Sequence, residues 1–92
     1  MTPEDQRLRR LEMDRAVEAK RILESPLWAE AFEGIRQRFL TQLLSETANE
    51  KATYWAKEQV LILGKVKSEL ESEIQTGELA ARQLQDNKGE GQ

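Results

Sequence analysis

The dipeptide Ser25-Pro26 constrains the fold of this chain more than any other feature of its sequence. Proline fixes its own φ and disfavours helical geometry at the residue before it, so a helix that reaches Glu24 must end or kink at Ser25. The same dipeptide is suited to begin a helix, because serine caps a backbone N–H and proline at the first helical position loses no hydrogen bond. The sequence therefore predicts separate helices before and after Ser25.

The helix that follows is predicted from Pro26 to Ser45. Its apolar residues recur at steps of three and four, which places them on one helical face. That face contains Trp28, Ala31, Phe32, Ile35, Phe39 and Leu43. An apolar stripe at this spacing is more typical of a protein core than of a site that stacks bases or binds a peptide.

A third helix is predicted from Ala48 to Thr76. Thr47-x-x-Glu50 has the pattern of a capping box, and Gly77 suits the position just past a helix end. The connection between the second and third helices is short, so they are expected to form an antiparallel hairpin in which Phe39 lies opposite Tyr54 or Trp55.

The first helix is predicted from Pro3 to Glu24, with Thr2 as its cap and Asp5 completing a Thr-x-x-acid box. Glu12 and Arg15 are expected to pair across one of its turns. The predicted fold is thus all-α, a hairpin over 26–45 and 48–76 with an additional N-terminal helix over 3–24. We expect one domain over 1–86, which includes a short further helix over 78–85, and a disordered tail over 87–92.

The middle of the third helix is the most apolar part of the chain. The four consecutive apolar side chains of Val60-Leu61-Ile62-Leu63 point to all sides of the helix, so one neighbouring helix cannot cover them. With 92 residues, of which 38% are hydrophobic and 34% charged, the chain has a thin core, and small chains often compensate by oligomerisation. The residues predicted to form an interface with a second copy or another protein are Tyr54, Leu61, Met13 and Val17.

Composition also excludes several kinds of chemistry. The chain has no cysteine and no histidine, which removes disulfides, thiolate chemistry, the usual zinc ligands and the commonest general base. The net charge of −3 argues against a general polyanion binder. No signal peptide or membrane span is recognised in the sequence. We therefore expect a non-enzymatic cytoplasmic protein with no cofactor, no metal, no membrane contact and no small-molecule substrate.

Two charged clusters suggest alternatives. Glu69 and Glu73 lie four residues apart on one helical face and form an acidic patch that suits a basic partner surface. Arg7, Arg9 and Arg10 form a basic cluster that suits nucleic acid or an acidic partner, although acidic neighbours cancel its charge. In both clusters the simpler interpretation is a solvated helix face.

The order of these features resembles small uncharacterised helical proteins of tailed bacteriophages, over roughly 15–84. The matching residues are Arg15-Ala16, Ala19-Lys20, Leu23, Pro26, Leu27, Ala31-Phe32, Thr47, and Gly77 with Ala80. The resemblance implies a phage accessory or assembly protein in the host cytoplasm or the virion, and it assigns no functional residue.

The favoured hypothesis is a helical interaction module that self-associates and serves in virion assembly. The first alternative is a small acidic phage inhibitor that binds and blocks a host protein. The second is a weak nucleic-acid-binding packaging or regulatory protein.

Overall fold

A computed structural model describes residues 1–45, 47 and 49–90 of the chain. Its helices are α1 (Pro3–Glu24), α2 (Pro26–Leu43) and α3 (Glu50–Glu90), and the described residues contain no strand. The predicted all-α arrangement of three helices is confirmed. The differences from the prediction lie at the C-terminal end of α2 and at both ends of α3.

The chain forms two compact units that share α3. The α1–α3 unit comprises Met1–Leu23 and Glu69–Gln92, and the α2–α3 unit comprises Glu24–Ser68. Each unit is thus a pair of helices. The prediction of one domain over 1–86 stays a prediction.

The break between α1 and α2 has the predicted chemistry. Ser25 has extended backbone angles, φ −67° and ψ 123°, and Pro26 occupies the first helical position of α2. The Ser25 hydroxyl accepts a hydrogen bond from the backbone N–H of Trp28 at 3.4 Å. The first turn of α1 is capped as predicted too, because the Asp5 N–H donates to Thr2 Oγ1 at 3.1 Å and the Thr2 N–H donates to Asp5 Oδ2 at 3.3 Å.

The cap of α3 differs from the predicted capping box. The Asn49 side-chain oxygen accepts a hydrogen bond from the Ala52 N–H at 2.8 Å, and α3 begins at Glu50. The Thr47 hydroxyl instead lies 2.9 Å from the Ser45 hydroxyl. Asparagine is at least as good a cap as threonine, and it lies one residue before the helix. The predicted first helical residue, Ala48, lies outside the described residues.

At the end of α2, the last helical residue is Leu43 rather than the predicted Ser45. The Ser45 N–H donates to the Gln42 carbonyl at 3.2 Å, which is the tighter turn that often ends a helix.

The predicted end of α3 at Thr76 is wrong, because α3 continues through Gly77 to Glu90. The predicted short helix over 78–85 is part of α3. Gly77 has no positive φ, which a glycine helix cap requires, and it is buried. Of the expected tail, residues 87–90 belong to α3, and residues 91 and 92 lie outside the described part of the chain.

Gly77 instead allows α1 and α3 to approach each other closely. A Cβ placed on Gly77 would overlap the Ala16 methyl group and lie 3.0 Å from the Glu12 carbonyl oxygen. Ala19 and Ala80 are buried in the same unit. The sequence predicted a pair between Glu12 and Arg15, but Glu12 pairs with Arg9 at 2.8 Å and Arg15 pairs with Glu73 of α3 at 2.8 Å.

The α2–α3 unit is held by larger side chains. Phe39 of α2 contacts Trp55 of α3 edge to face, with ring centroids 5.3 Å apart and an interplanar angle of 72°. This contact confirms the predicted alignment of the hairpin. Trp28 and Phe32 form a second, tilted pair with centroids 5.9 Å apart. Among the described residues of this unit, the buried side chain is Ala56.

Candidate interaction surfaces

The most informative feature of the surface is the apolar area that each unit leaves uncovered. Among the described residues the buried hydrophobic side chains are all alanines, namely Ala19, Ala56 and Ala80. Large apolar side chains are more than one-third exposed in both units. In the α2–α3 unit they are Leu27, Ile35, Leu44, Tyr54, Trp55, Leu61, Ile62 and Val66.

Three of these side chains follow a coiled-coil spacing on α3. Together with one half-buried glutamine, they are separated by alternating steps of four and three residues, in the order Trp55, Gln59, Ile62 and Val66. Residues at this spacing form one stripe along a helix and contact a facing helix. The three apolar members are 51%, 47% and 43% exposed. We call these four residues the α3 seam.

The sequence placed Tyr54 or Trp55 opposite Phe39 and did not identify the α3 seam as a surface. The alternating spacing was visible in the sequence. However, spacing shows only which residues share a stripe. It does not show whether the neighbouring helix covers that stripe.

Tyr54 and Leu61, the residues predicted to form an interface, are 66% and 50% exposed. They lie seven residues apart, so they occupy the same side of α3, next to the seam residues Trp55 and Ile62 in sequence. The α3 seam and this pair together give the first half of α3 a broad apolar surface. Their role as an interface stays a prediction.

Met13 and Val17, the other two predicted interface residues, line one groove of the α1–α3 unit. The groove has a volume of about 240 Å³ and an otherwise largely apolar lining of Ala16, Lys20, Ile74, Gly77, Glu78 and Ala81. Val17 is 59% exposed at this groove. We call it the Val17 groove.

A second groove of the same unit has a volume of about 290 Å³. Its lining includes Ala19 and Ile22 of α1, and Leu70 of α3. Arg15 and Glu73 also line it and form their ion pair there, and Asp14 and Glu18 add two further acidic side chains to the lining.

The charged clusters of the alternative hypotheses are partly paired within the chain. Glu73 accepts a hydrogen bond from the Arg15 guanidinium, while Glu69 is exposed. In the basic cluster, Arg9 pairs with Glu12 at 2.8 Å and Arg7 lies 3.7 Å from Glu4. Arg10 is exposed. These pairs reduce the charge that either cluster offers to a partner.

Two carboxyl groups, one on α1 and one on α2, have shifted pKa values. The pKa of Asp5 is lowered by the hydrogen bonds from the Thr2 hydroxyl and backbone N–H. The pKa of Glu33 is lowered chiefly by a hydrogen bond from the Gln37 side-chain amide, and further by Arg36. Both shifts have a local cause within one helix turn, so neither indicates a catalytic group.

Across the described residues, no group of three or more acidic, histidine or cysteine side chains is placed to hold a metal ion. In the same part of the chain, no helix combines the length and apolar character needed to cross a bilayer.

No protein-family model, curated protein or solved structure matches this chain. The resemblance to phage proteins therefore stays a prediction, and the exposed surfaces of the chain are the remaining guide to its function.

Proposed function

We propose that this chain is a non-enzymatic helical module that self-associates through the α3 seam with Tyr54 and Leu61. The observation that carries the proposal is the burial pattern of the α2–α3 unit. In its described residues the buried hydrophobic side chain is an alanine, whereas its large apolar side chains are half-buried or exposed.

The size of the surface supports this proposal. Aromatic side chains bury about 150–250 Å² each, so Tyr54 and Trp55 at their observed exposures offer roughly 250 Å² between them. A stable interface takes about 800 Å² from each partner. The exposed Leu61, Ile62 and Val66 on the same helix add to the aromatic contribution.

A second copy is the partner that this surface suits best. Two copies that meet through Tyr54, Leu61 and the parts of the α3 seam that α2 leaves exposed bury identical surfaces, which is the geometry of a self-complementary two-fold interface. The half-buried Gln59 lies within the stripe, and a polar residue at such a position restricts how two helices align.

We extend the proposal to virion assembly on the basis of the resemblance to phage proteins. Assembly proteins act by repeated contacts between copies, so a self-complementary apolar surface is consistent with this role. The host cytoplasm and the virion are the locations that this role implies.

Light scattering at micromolar concentration tests the proposal. We expect the wild-type protein to have a mass of at least twice the 10.6 kDa of one chain. Leu61→Asp places a charge in the interface and should reduce the mass to that of one chain. Because aspartate is a weak helix former, Leu61→Lys serves as a second variant with better helix propensity.

The matched control is Leu44→Asp, since Leu44 is 83% exposed and follows α2 instead of lying on α3. It should leave the measured mass unchanged. A wild-type mass of one chain, or equal masses for wild type and both Leu61 variants with helicity retained, would show that this surface does not mediate self-association.

A further inference from the structure

One face of α1, beside its contact with α3, is exposed along most of the helix. Its residues recur at steps of three and four, which places them in one stripe. All five are more than one-third exposed, so α3 leaves much of this face uncovered. We call this face the α1 stripe, and its members are Leu8, Leu11, Arg15, Glu18 and Ile22.

The α1 stripe is complementary to a second copy of itself that runs in the opposite direction. When Arg15 of one copy lies level with Glu18 of the other, the two-fold axis between them repeats the same pair in reverse. Leu11 then lies level with Ile22 of the other copy, because Leu11 is four residues before Arg15 and Ile22 is four residues after Glu18. In a parallel pair each residue would face its own counterpart, and like charges would meet. The antiparallel orientation is therefore favoured.

A further pair of opposite charges lies along one flank of the α1 stripe. Asp14 precedes Arg15 and Arg21 precedes Ile22, so these two flanking residues share one side of the helix. In the antiparallel alignment, Asp14 of one copy is about 3 Å from level with Arg21 of the other, which is within reach of their side chains. The flank therefore adds opposite charges to those within the stripe.

The charged residues of the α1 stripe are available to a second copy. Arg15 donates to Glu73 at 2.8 Å, but its guanidinium has five N–H donors and its side chain is largely exposed. Glu18 lies 3.6 Å from Arg21, and both side chains are exposed, so this pair contributes little and can be exchanged. Arg15 can thus hold a carboxylate of the other copy while it keeps its contact with Glu73.

We propose that the α1 stripe binds the α1 stripe of a second copy in antiparallel orientation. Arg15 of each copy pairs with Glu18 of the other at the centre of the contact. Leu11 of each copy packs on Ile22 of the other at both ends. Ile22 lines the second groove of the α1–α3 unit together with Leu70, so the incoming leucine covers the apolar part of that groove.

This contact is separate from the surface of the proposed function, which lies in the other unit. A chain with two different self-complementary surfaces is not limited to a dimer, because each surface can hold a different copy. The contact is small beside the roughly 800 Å² per partner of a stable interface. It is therefore weak alone and becomes effective when copies are already linked through another surface.

The first test measures the alignment with single cysteines, since the natural chain has none. An equimolar mixture of Leu11→Cys and Ile22→Cys is treated with a short thiol-reactive crosslinker, and the products are identified by mass spectrometry. The mixed product should predominate, because these positions lie level, whereas two Leu11 positions lie about 16 Å apart along the helix axis. The matched control replaces Ile22→Cys by Lys20→Cys, which lies near the same level but in the Val17 groove. A mixed product no more abundant than in this control, or a predominance of Leu11 joined to Leu11, overturns the proposal.

The second test adds charge reversal to the two cysteine variants. Glu18→Arg in both copies makes arginine face arginine at the centre, and the initial rate of mixed crosslinking should fall at least about tenfold. Glu18→Arg in one copy and Arg15→Glu in the other restore opposite charges, so the rate should recover. Lys20→Glu, which makes the same charge change outside the stripe, should leave the rate unchanged. Equal rates in the reversed and restored combinations would show that these charges do not meet between copies.

Leu61→Asp separates this inference from the proposed function. If Leu61→Asp leaves the mass unchanged while the mixed product forms, the proposed function fails and the α1 contact stands. If Leu61→Asp reduces the mass but the mixed product never exceeds its control, the α1 contact fails and the proposed function stands. A mixed product that forms in the Leu61→Asp background as well would show that the α1 stripe acts without the α3 seam.

Discussion

The two units of this protein pack a pair of helices in different ways. In the α1–α3 unit the contact is made by small residues, including Ala16, Ala19, Gly77 and Ala80, and the Gly77 position has no room for a Cβ. In the α2–α3 unit the contact includes aromatic rings such as Phe39 and Trp55. Small residues allow the backbones of two helices to approach closely, and the large side chains then lie beside the contact. Where large residues form the contact, part of each side chain stays exposed to solvent.

The comparison shows that two helices alone bury little, whichever residues they use. A helix pair has one mutual contact and no third layer, so an apolar stripe wider than that contact remains in water. It also indicates that the two units respond in opposite ways to mutations that change side-chain volume. The α1–α3 unit should be sensitive to added volume, and the α2–α3 unit to lost volume.

The largest expected effect is that of Gly77→Ala. The added methyl group meets the Ala16 side chain and the Glu12 carbonyl, so α1 and α3 must separate. We expect the free energy of unfolding to fall by about 2–3 kcal/mol, measured by urea denaturation, as in other overpacked contacts.

Gly34→Ala and Gly64→Ala are the controls in the α2–α3 unit, where a Cβ meets nothing within 4 Å at either position. Both should stabilise the protein, by about 0.5–1 kcal/mol, because alanine is the better helix former. Equal changes in the free energy of unfolding for all three glycine variants would contradict the contrast between the units.

The second expected effect is that of Phe39→Ala, which removes the ring that contacts Trp55. Truncating a fully buried phenylalanine costs about 3–5 kcal/mol, and Phe39 is only partly buried, so we expect about 1.5 kcal/mol. Amide hydrogen exchange should show lower protection in α2 and the first half of α3. Protection in α1 that falls by the same amount would show that the two units unfold together.

A third comparison concerns the start of α3. Asn49→Ala removes the side-chain cap of the Ala52 N–H and should cost about 1 kcal/mol. Among the described residues the Thr47 hydroxyl contacts the Ser45 hydroxyl and no backbone group of α3, so Thr47→Ala should leave the thermal melting curve close to that of wild type. A larger loss for Thr47→Ala than for Asn49→Ala would restore the capping box predicted from the sequence.

The smallest expected effect is the pH dependence of the first turn of α1. The pKa of Asp5 is lowered from its ordinary value of 3.8 in the folded chain. Its contribution to stability is therefore fully present above pH 3.8 and is lost as the pH falls through the lower pKa of the folded state. NMR titration of Asp5 measures this pKa directly, and Thr2→Ala should return it towards the ordinary value.

Glu33 allows the same test in the other unit. Its pKa is lowered mainly by the Gln37 side-chain amide, so Gln37→Ala should raise it while Asp5 is unaffected. A shift at both carboxyl groups in either variant would mean that the effects are not local.

Local rules account for what the sequence determined. Ser25 and Pro26 set the boundary between α1 and α2, Thr2 and Asp5 cap α1, and the spacing of Phe39 and Trp55 aligned the hairpin. Each of these depends on residues within a few turns or on one short connection. The three-helix, all-α fold was therefore predictable.

Tertiary structure alone decided which helical faces are covered. Gly77 resembles a helix end in sequence, but the close approach of α1 makes it a packing residue inside α3. Trp55 and Val66 resemble core residues, but the single neighbouring helix leaves about half of each exposed. Periodicity specifies which side chains share a face, whereas burial depends on how many elements meet there, and that number is not encoded in any local pattern.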